Sequence, residues 1–392
     1  MSNNNEINLI KDLFKGFDKP VYLHKLFLSD DDKNSTIKQI NLGDIAVGNE
    51  IEKLRNQLSS YFKEEELSIG LLNSGTSALH LSLENLNLNN NTDVLISPIT
   101  FISPVNAIKY AGGNPFFIDI NLKTLNMSPL ALEEFLSNHT KKIEGKLINN
   151  ISGNEIKGLI HVDVFGQIGE LDKIYQICQD FGIFCIEDAA ESFGSKLNNT
   201  NVGKYCDLVA GSFNGNKIIS GGGGGFVGSK NINLVKKIVN MSNQSKIGNE
   251  WEYDHGEIGY NYRISNLQAS MISSQLKNID EIISKKRNLH NFYKKYFNNT
   301  EITLFEEADN NHSNYWLNAI KLNLKEVEVD NLLTILNKEG IKCRKIWKIM
   351  TEINHIKQNN NSYNLDNSEN ICNKVINIPS GLDVCSHFLN ND

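Results

Sequence analysis

The chain has 392 residues, with 39 Lys and Arg against 46 Asp and Glu, a net charge of −7. Hydrophobic residues make up 40% and charged residues 22%, the balance of a globular chain long enough for two domains. The acidic balance argues against general nucleic-acid binding, and no apolar run reaches the roughly 18–20 residues that span a bilayer.

The first fifty residues mix short helical and extended segments, and Val21-Tyr22-Leu23-His24 reads as a strand or an arm. Their polar start, MSNNNEINLIKDLF, lacks the cationic stretch and apolar block of a signal peptide. Ile51, Leu54, Leu58 and Phe62 recur at helical spacing and predict a helix over 51–62. An alternation follows. Strands are expected at 69–72, 94–97, 115–118, 159–164 and 183–187, with helices at 78–86, up to Tyr110, and at 171–181. This βαβ pattern predicts an α/β fold: a mostly parallel central sheet flanked by helices on both faces, binding ligand at its strands' C-terminal ends. The pattern ends at a short strand, Leu208-Val209-Ala210, a connection holding Lys217 and the run Gly221–Gly225, and the pair Phe226-Val227.

A helix over 267–282 is then expected to continue as a second helix over 283–297. Beyond about residue 300 come strands at 315–322 and 342–346 and helices at 327–339 and 368–375, a smaller α/β pattern. The expected division is an N-terminal segment over 1–50, a large domain over 51–282 and a small C-terminal domain over 283–392. The six cysteines stand at 178, 185, 206, 343, 372 and 385 with no CxxC pair. They read as reduced thiols of a cytoplasmic protein, with no disulfide frame and no metal site.

Lys217 sits on a connection that glycines keep from being helical. A lysine amine condenses with an aldehyde to a Schiff base, whereas a lone loop lysine is more often simply solvated. Ser74-Gly75-Thr76-Ser77 opens a helix after a strand. Its free N–H groups and the hydroxyls of Thr76 and Ser77 suit a phosphate, and the same pattern also makes an ordinary N-cap. Phe101 follows a strand end and can stack on a flat ring, or fill a core. Asp188 ends the apolar strand Ile183–Ile186 and needs a partner there. A protonated pyridine nitrogen is one such partner; capping the next helix is the alternative. Ser212 can add a phosphate contact, and the glycine run is not placed like a dinucleotide fingerprint. Asn261 and Arg263 precede a helix and can reach a phosphate or carboxylate, or remain surface groups.

Taken together, six stretches resemble the sugar aminotransferase family of fold-type I pyridoxal-phosphate enzymes. They are NSGTSALHL at 73–81, SPITFISPVNAI at 97–108, HVDVFGQ at 161–167, IEDAAESFGS at 186–195, SFNGNKIISGGGGG at 212–225 and GYNYRISNLQA at 259–269. NGNKIISGGGG, WEYDH at 251–255 and SNYWLNAI at 313–320 look most like the branch that aminates UDP-4-keto-6-deoxy-N-acetylhexosamines for surface glycans. The resemblance implies pyridoxal 5′-phosphate as cofactor, L-glutamate as amino donor and a nucleotide-linked keto-sugar as acceptor. It implies that Lys217 forms the imine, Asp188 pairs with the pyridine nitrogen and Phe101 stacks on the ring. Gly75, Thr76 and Ser212 would hold the phosphate, Glu191 would stand near the ring hydroxyl, and Asn261 would reach the phosphate of a neighbouring subunit in a homodimer. Tyr315 and Trp316 are implied for the nucleotide-sugar pocket. Two departures stand out. Gly222–Gly225 replace the wider family's Gly-Glu-Gly-Gly, and QINLGDIAVGNEIEKL at 39–54 lacks the aromatic of the usual substrate entrance. The alternatives are a C3 aminotransferase or a dehydratase on a dTDP- or GDP-sugar, or a non-catalytic binding protein on the same fold. Dehydratase relatives carry His at the lysine position, which counts against that reading.

Overall fold

A computed structural model of the chain describes residues 3–249, 251–252, 254–357 and 361–389. The large sheet is built from β1 (Ser68–Leu72), β2 (Thr92–Ile96), β3 (Asn114–Ile118), β4 (Glu155–Val162), β5 (Phe184–Asp188), β6 (Leu208–Ser212) and β7 (Gly225–Ser229). Its order is β1-β7-β6-β5-β4-β2-β3, continued by the short strand β11 (Ser362–Tyr363). Pairings from β6 through β3 are parallel; β7 runs antiparallel to its neighbours β1 and β6, and a short hairpin of Thr140–Ile143 and Lys146–Asn149 adds antiparallel to the start of β4. Residues of β2, β6 and β7 are buried throughout, because helices cover both faces and leave no face to alternate toward water. The expected mostly parallel sheet is therefore present.

The helices relevant to the site are α1 (Asn3–Leu13), α2 (Asp30–Leu42), α3 (Asn49–Tyr61), α4 (Gly75–Glu84) and α5 (Ile102–Tyr110). After α6 (Pro129–His139) and α7 (Leu171–Phe181) come α8 (Ile232–Ser242), α9 (Asn266–Gln275) and α10 (Ile279–Phe297). The expected join between two helices at 282/283 lies earlier. Leu276–Asn278 form a short 3-10 turn, and α10 runs unbroken from Ile279. Neither Gly nor Pro marks that break, so the apolar spacing alone placed it wrongly.

Beyond α10 a second sheet pairs β8 (Thr303–Leu304), β9 (Asn318–Lys321), β10 (Arg344–Lys345) and, after the short strand already named, β12 (Val375–Ile378), in the order β8-β9-β12-β10. The expected strand over 315–322 is shorter than its apolar run, because Tyr315 takes a positive φ of 45° and turns the chain before β9 begins. The helix expected over 368–375 ends at Ile371, and Val375 already belongs to β12. Two cores result. One gathers around the large sheet; the other joins Ile7 and Ile10 of α1, and Phe14 just after it, to Tyr293 and Phe297 of α10 and to Ile376 and Ile378 of β12. Helix α10 contributes Ile279 and Ile283 to the first core and Leu289 onward to the second. The patch at 21–24 is an arm: Val21 bridges Ile341, and Ser380 N donates to Leu23 O. Tyr253, within the WEYDH stretch, lies outside the described residues.

Candidate functional site

Parallel strands leave their C-terminal ends at one edge, and four ends converge there. A cavity of about 250 Å³ opens at this edge, and its lining includes Gly75, Thr76, Phe101, Asp188, Glu191, Ser212, Lys217 and Trp316. Residues as far apart as Gly75 and Trp316 thus meet in one hollow.

β1 leads into α4, whose N-cap Ser74 accepts from Ser77 N at 3.1 Å. The first turn presents Gly75 and Thr76 to the cavity, and Thr76 Oγ1 donates to Ser103 Oγ at 3.0 Å. A Cβ at Gly75 would lie 2.7 Å from Cβ of Ser212, so only glycine lets α4 start against the end of β6. Ser77 is different from the expectation. Its hydroxyl is buried and donates to Asn73 Oδ1 at 2.6 Å, away from the cavity.

Asp188 closes β5, and its Oδ1 accepts from Ala190 N at 3.1 Å. Burial pushes its carboxyl up to about 7, and the Lys217 charge pulls the other way. Three residues on, Glu191 bridges two elements: Oε2 accepts from Phe165 N at 2.9 Å, and Oε1 lies 3.2 Å from Lys217 Nζ. Burial raises this carboxyl too, against the lysine beside it. Lys217 sits in the connection between β6 and β7, with Nζ 4.2 Å from the centre of the Trp316 ring. Trp316 is fixed in turn, its indole N–H donating to Asn216 O at 2.6 Å. The glycine run lets the chain return under α4, with Gly224 at a φ of 105° that a side chain would strain.

Phe101, 50% exposed, stands at the N-cap of α5 and lines the cavity wall. Asn261 does not join the cavity. It is exposed, and its carbonyl accepts from Asn73 Nδ2 at 3.3 Å. Arg263 is exposed beyond it and lines a separate groove with Ile51 and Ile69. Tyr315 is turned away from the site as well: it stacks on His290 with ring centres 3.6 Å apart, because its positive φ sends it opposite to Trp316. Sequence reasoning missed Arg344 and Trp347, which complete the cavity from the C-terminal part, and Asn214 and Asn216 beside Lys217. Trp347 stacks on Phe165 at 4.8 Å. No motif marks Arg344 or Trp347; only the proximity of β10 to the large sheet brings them in.

The residues present fit pyridoxal 5′-phosphate. Among the described residues the buried Asp188 carboxyl has only Lys217 as a nearby cation, the Lys217 amine is held at the cavity by Glu191 where an aldehyde could reach it, and a helix N-terminus with Thr76 and Ser212 offers an anion cradle.

Comparison with known proteins gives the family. The DegT/DnrJ/EryC1/StrS aminotransferase family matches residues 28–389. A GDP-perosamine synthase of Escherichia coli O157:H7 is 31% identical over 300 residues, covering 76% of this chain and 77% of the relative. The UDP-4-amino-4,6-dideoxy-N-acetyl-beta-L-altrosamine transaminase of Campylobacter jejuni serotype O:23/36 is 29% identical over 335 residues, covering 85% of each. Helicobacter pylori PseC, an aminotransferase of pseudoaminic acid biosynthesis, shares the fold with a TM-score of 0.82 at 21% identity, covering 95% of this chain and 99% of that one. The chain belongs to the DegT/DnrJ/EryC1/StrS aminotransferase family and is a pyridoxal-phosphate-dependent sugar aminotransferase acting on nucleotide sugars. Among the described residues no helix is long and apolar enough to cross a membrane.

Proposed function

We propose that this family member moves an amino group from L-glutamate to C4 of a UDP-linked 4-keto-6-deoxy-N-acetylhexosamine, in the cytoplasm, for surface-glycan synthesis. The convergence of Lys217, Asp188 and Glu191 at one strand edge carries the reading. In this reading the first turn of α4, with Gly75 and Thr76, and the Ser212 hydroxyl hold the cofactor phosphate. Phe101 covers a ring face, and Asp188 accepts the N–H of the pyridine. The cofactor supplies an aldehyde for the lysine and a ring that withdraws electrons from the carbon being deprotonated. Lys217 Nζ would act as the general acid–base, taking the proton from the donor's α-carbon and delivering it to the cofactor. Glu191 Oε1 holds that amine in reach, and its other oxygen fixes Phe165. Trp316 shields the amine from water with its ring face.

We further propose a homodimer in which Asn261 reaches the phosphate of the neighbouring subunit; its exposure and its distance from this chain's own cavity support that role. A domain division after residue 282 is likewise proposed, supported by the change of core along α10 between Ile283 and Leu289.

A GDP-linked keto-sugar is the second reading, favoured by the similarity to GDP-perosamine synthases. Purified protein given labelled glutamate and a panel of UDP-, GDP- and dTDP-linked keto-sugars decides between them. Label appearing on the UDP sugar supports the first reading; label confined to a GDP sugar replaces it with the second. Label on none of them refutes both.

A further inference from the structure

Behind Asp188 lie two more carboxyl groups that the transfer chemistry does not use. Val162 at the end of β4 pairs in register with Asp188, so Asp163 comes one residue past that strand end. Its N–H donates to Asp188 O at 3.1 Å. Glu187 precedes Asp188 on β5. Both side chains are 0% exposed, and because Glu187 pairs in register with His161, two residues before Asp163, the two carboxyl groups lie side by side on one face of the sheet and act on each other.

Counting donors shows a deficit. One oxygen of Asp163, Oδ2, accepts from Ser192 Oγ. Glu187 Oε2 accepts from Gly203 N and from the Cys206 thiol at 3.6 Å. Asp163 Oδ1 and Glu187 Oε1 are buried with no donor of the described residues on them. The nearby imidazole does not help. His161 Nε2 is 3.7 Å from Asp163 Oδ1 but donates to Ile168 O at 2.8 Å, and burial pulls its pKa down to about 4, so it is neutral. The groups that face the pair are His161, Ser192, Asp188 and Cys206, and none is a cation. The two cations lining the cavity face Glu191 instead: Lys217 is engaged by it, and Arg344 also acts on it. Two adjacent buried carboxylates, each with a bare oxygen, cannot both be ionised.

We propose that Asp163 and Glu187 share one proton between their unpartnered oxygens, and that this pair is a positioning device that ties the ends of β4 and β5 and holds their charge at one unit, leaving Asp188 free to ionise. Burial acts on both groups in the required direction, pushing Glu187 up to about 7 and Asp163 well above the usual carboxylate range. The pair grips the chain on both sides. Asp163 takes Ser192, beside Glu191; Glu187 takes Gly203, in the approach to β6. A second full charge here would push Asp188 to keep its own proton, and a protonated Asp188 no longer presents a charge to a ring N–H. The inference rests on the proposed role of Asp188 only for this last consequence.

The test uses the cofactor-free protein first. A carboxyl whose folded pKa is raised holds a proton that the unfolded chain has released. Its stabilising share is complete below the unfolded pKa and is lost as pH rises through the folded value. The thermal midpoint of the native protein should therefore fall between pH 5 and 7. In Glu187→Gln an amide N–H replaces the shared proton, so the fall per pH unit should be visibly smaller and the midpoint at pH 7.5 no lower than native. Equal slopes in the two proteins, or a Gln variant much less stable than native at pH 5, overturn the shared proton. Pyridoxal-phosphate binding, followed by Trp fluorescence, then separates the two ideas. The Gln variant should bind within about threefold of native, because the charge behind Asp188 is unchanged; a tenfold loss overturns the charge-holding role. Unchanged affinity in Asp188→Asn instead sinks the Asp188 assignment while leaving the slope result intact.

Discussion

The two walls of the cavity are built on different rules. The inner wall comes from strand ends of the large sheet: Gly75, Asp188, Glu191, Ser212 and Lys217. Asp188 and Ser212 end β5 and β6, and Gly75, Glu191 and Lys217 stand three to five residues past a strand end, so the hydrogen-bond ladder of the sheet sets where each connection starts. The outer wall comes from Trp316, Arg344 and Trp347, on short segments of the C-terminal part. These are placed by side-chain contacts: Trp316 by Asn216 O, Trp347 by the Phe165 ring. Glu191 joins the walls. One oxygen meets Lys217, and the other holds Phe165 at a φ of 56°, a conformation uncommon for a phenylalanine. The difference teaches a division of labour: a rigid inner wall can fix one reaction, and a contact-built outer wall can vary with the sugar.

Substitutions should break that comparison in order of size. Lys217→Ala should lower single-turnover transamination by more than about 10³-fold, since it removes both the nucleophile and the proton carrier. Retained turnover would dissolve the functional difference between the walls. Asp188→Asn should cost about 100-fold or more in kcat, because the ring loses its charged partner. The same variant should stabilise the cofactor-free protein at pH 8. The folded carboxyl, at about 7, sits above the ordinary value, so native stability is full below about 4 and is lost as pH rises toward 7. Asparagine removes that loss, and thermal melts at pH 5 and pH 8 would show it as a flatter profile.

The outer wall should respond in binding. Arg344→Gln and Trp347→Ala are expected to raise KM for the nucleotide sugar about tenfold and leave kcat within about threefold. A kcat loss as large as that of Asp188→Asn would mean the outer wall takes part in the chemistry. The smallest effect concerns the seam between α4 and β6. Gly75→Ala puts a methyl 2.7 Å from Ser212 Cβ and should cost about 1–3 kcal/mol of stability, with weaker cofactor retention on dialysis.

Much of this was readable before any coordinates. The βαβ alternation fixed the parallel sheet because buried strands and amphipathic helices carry their own periodicity. Lys217, Asp188 and Ser212 could be named because strand ends are marked locally by an apolar run that stops at a polar residue. Of the two readings open for Ser77, the structure favours the cap: its N–H donates to the N-cap Ser74 and its hydroxyl to Asn73, bonds that depend on where the preceding strand turns. Tyr315 and Trp316 are neighbours in the chain, yet one backbone dihedral sends them to opposite sides. Arg344 and Trp347 carry no local mark at all. Local spacing, then, determined the sheet, the family resemblance and the place of Lys217 on a connection at a strand end, since each is written in a window of a few residues. Only the folded chain decided the outer wall and the buried Asp163–Glu187 pair, because those depend on which distant side chains are forced to share a space that water cannot enter.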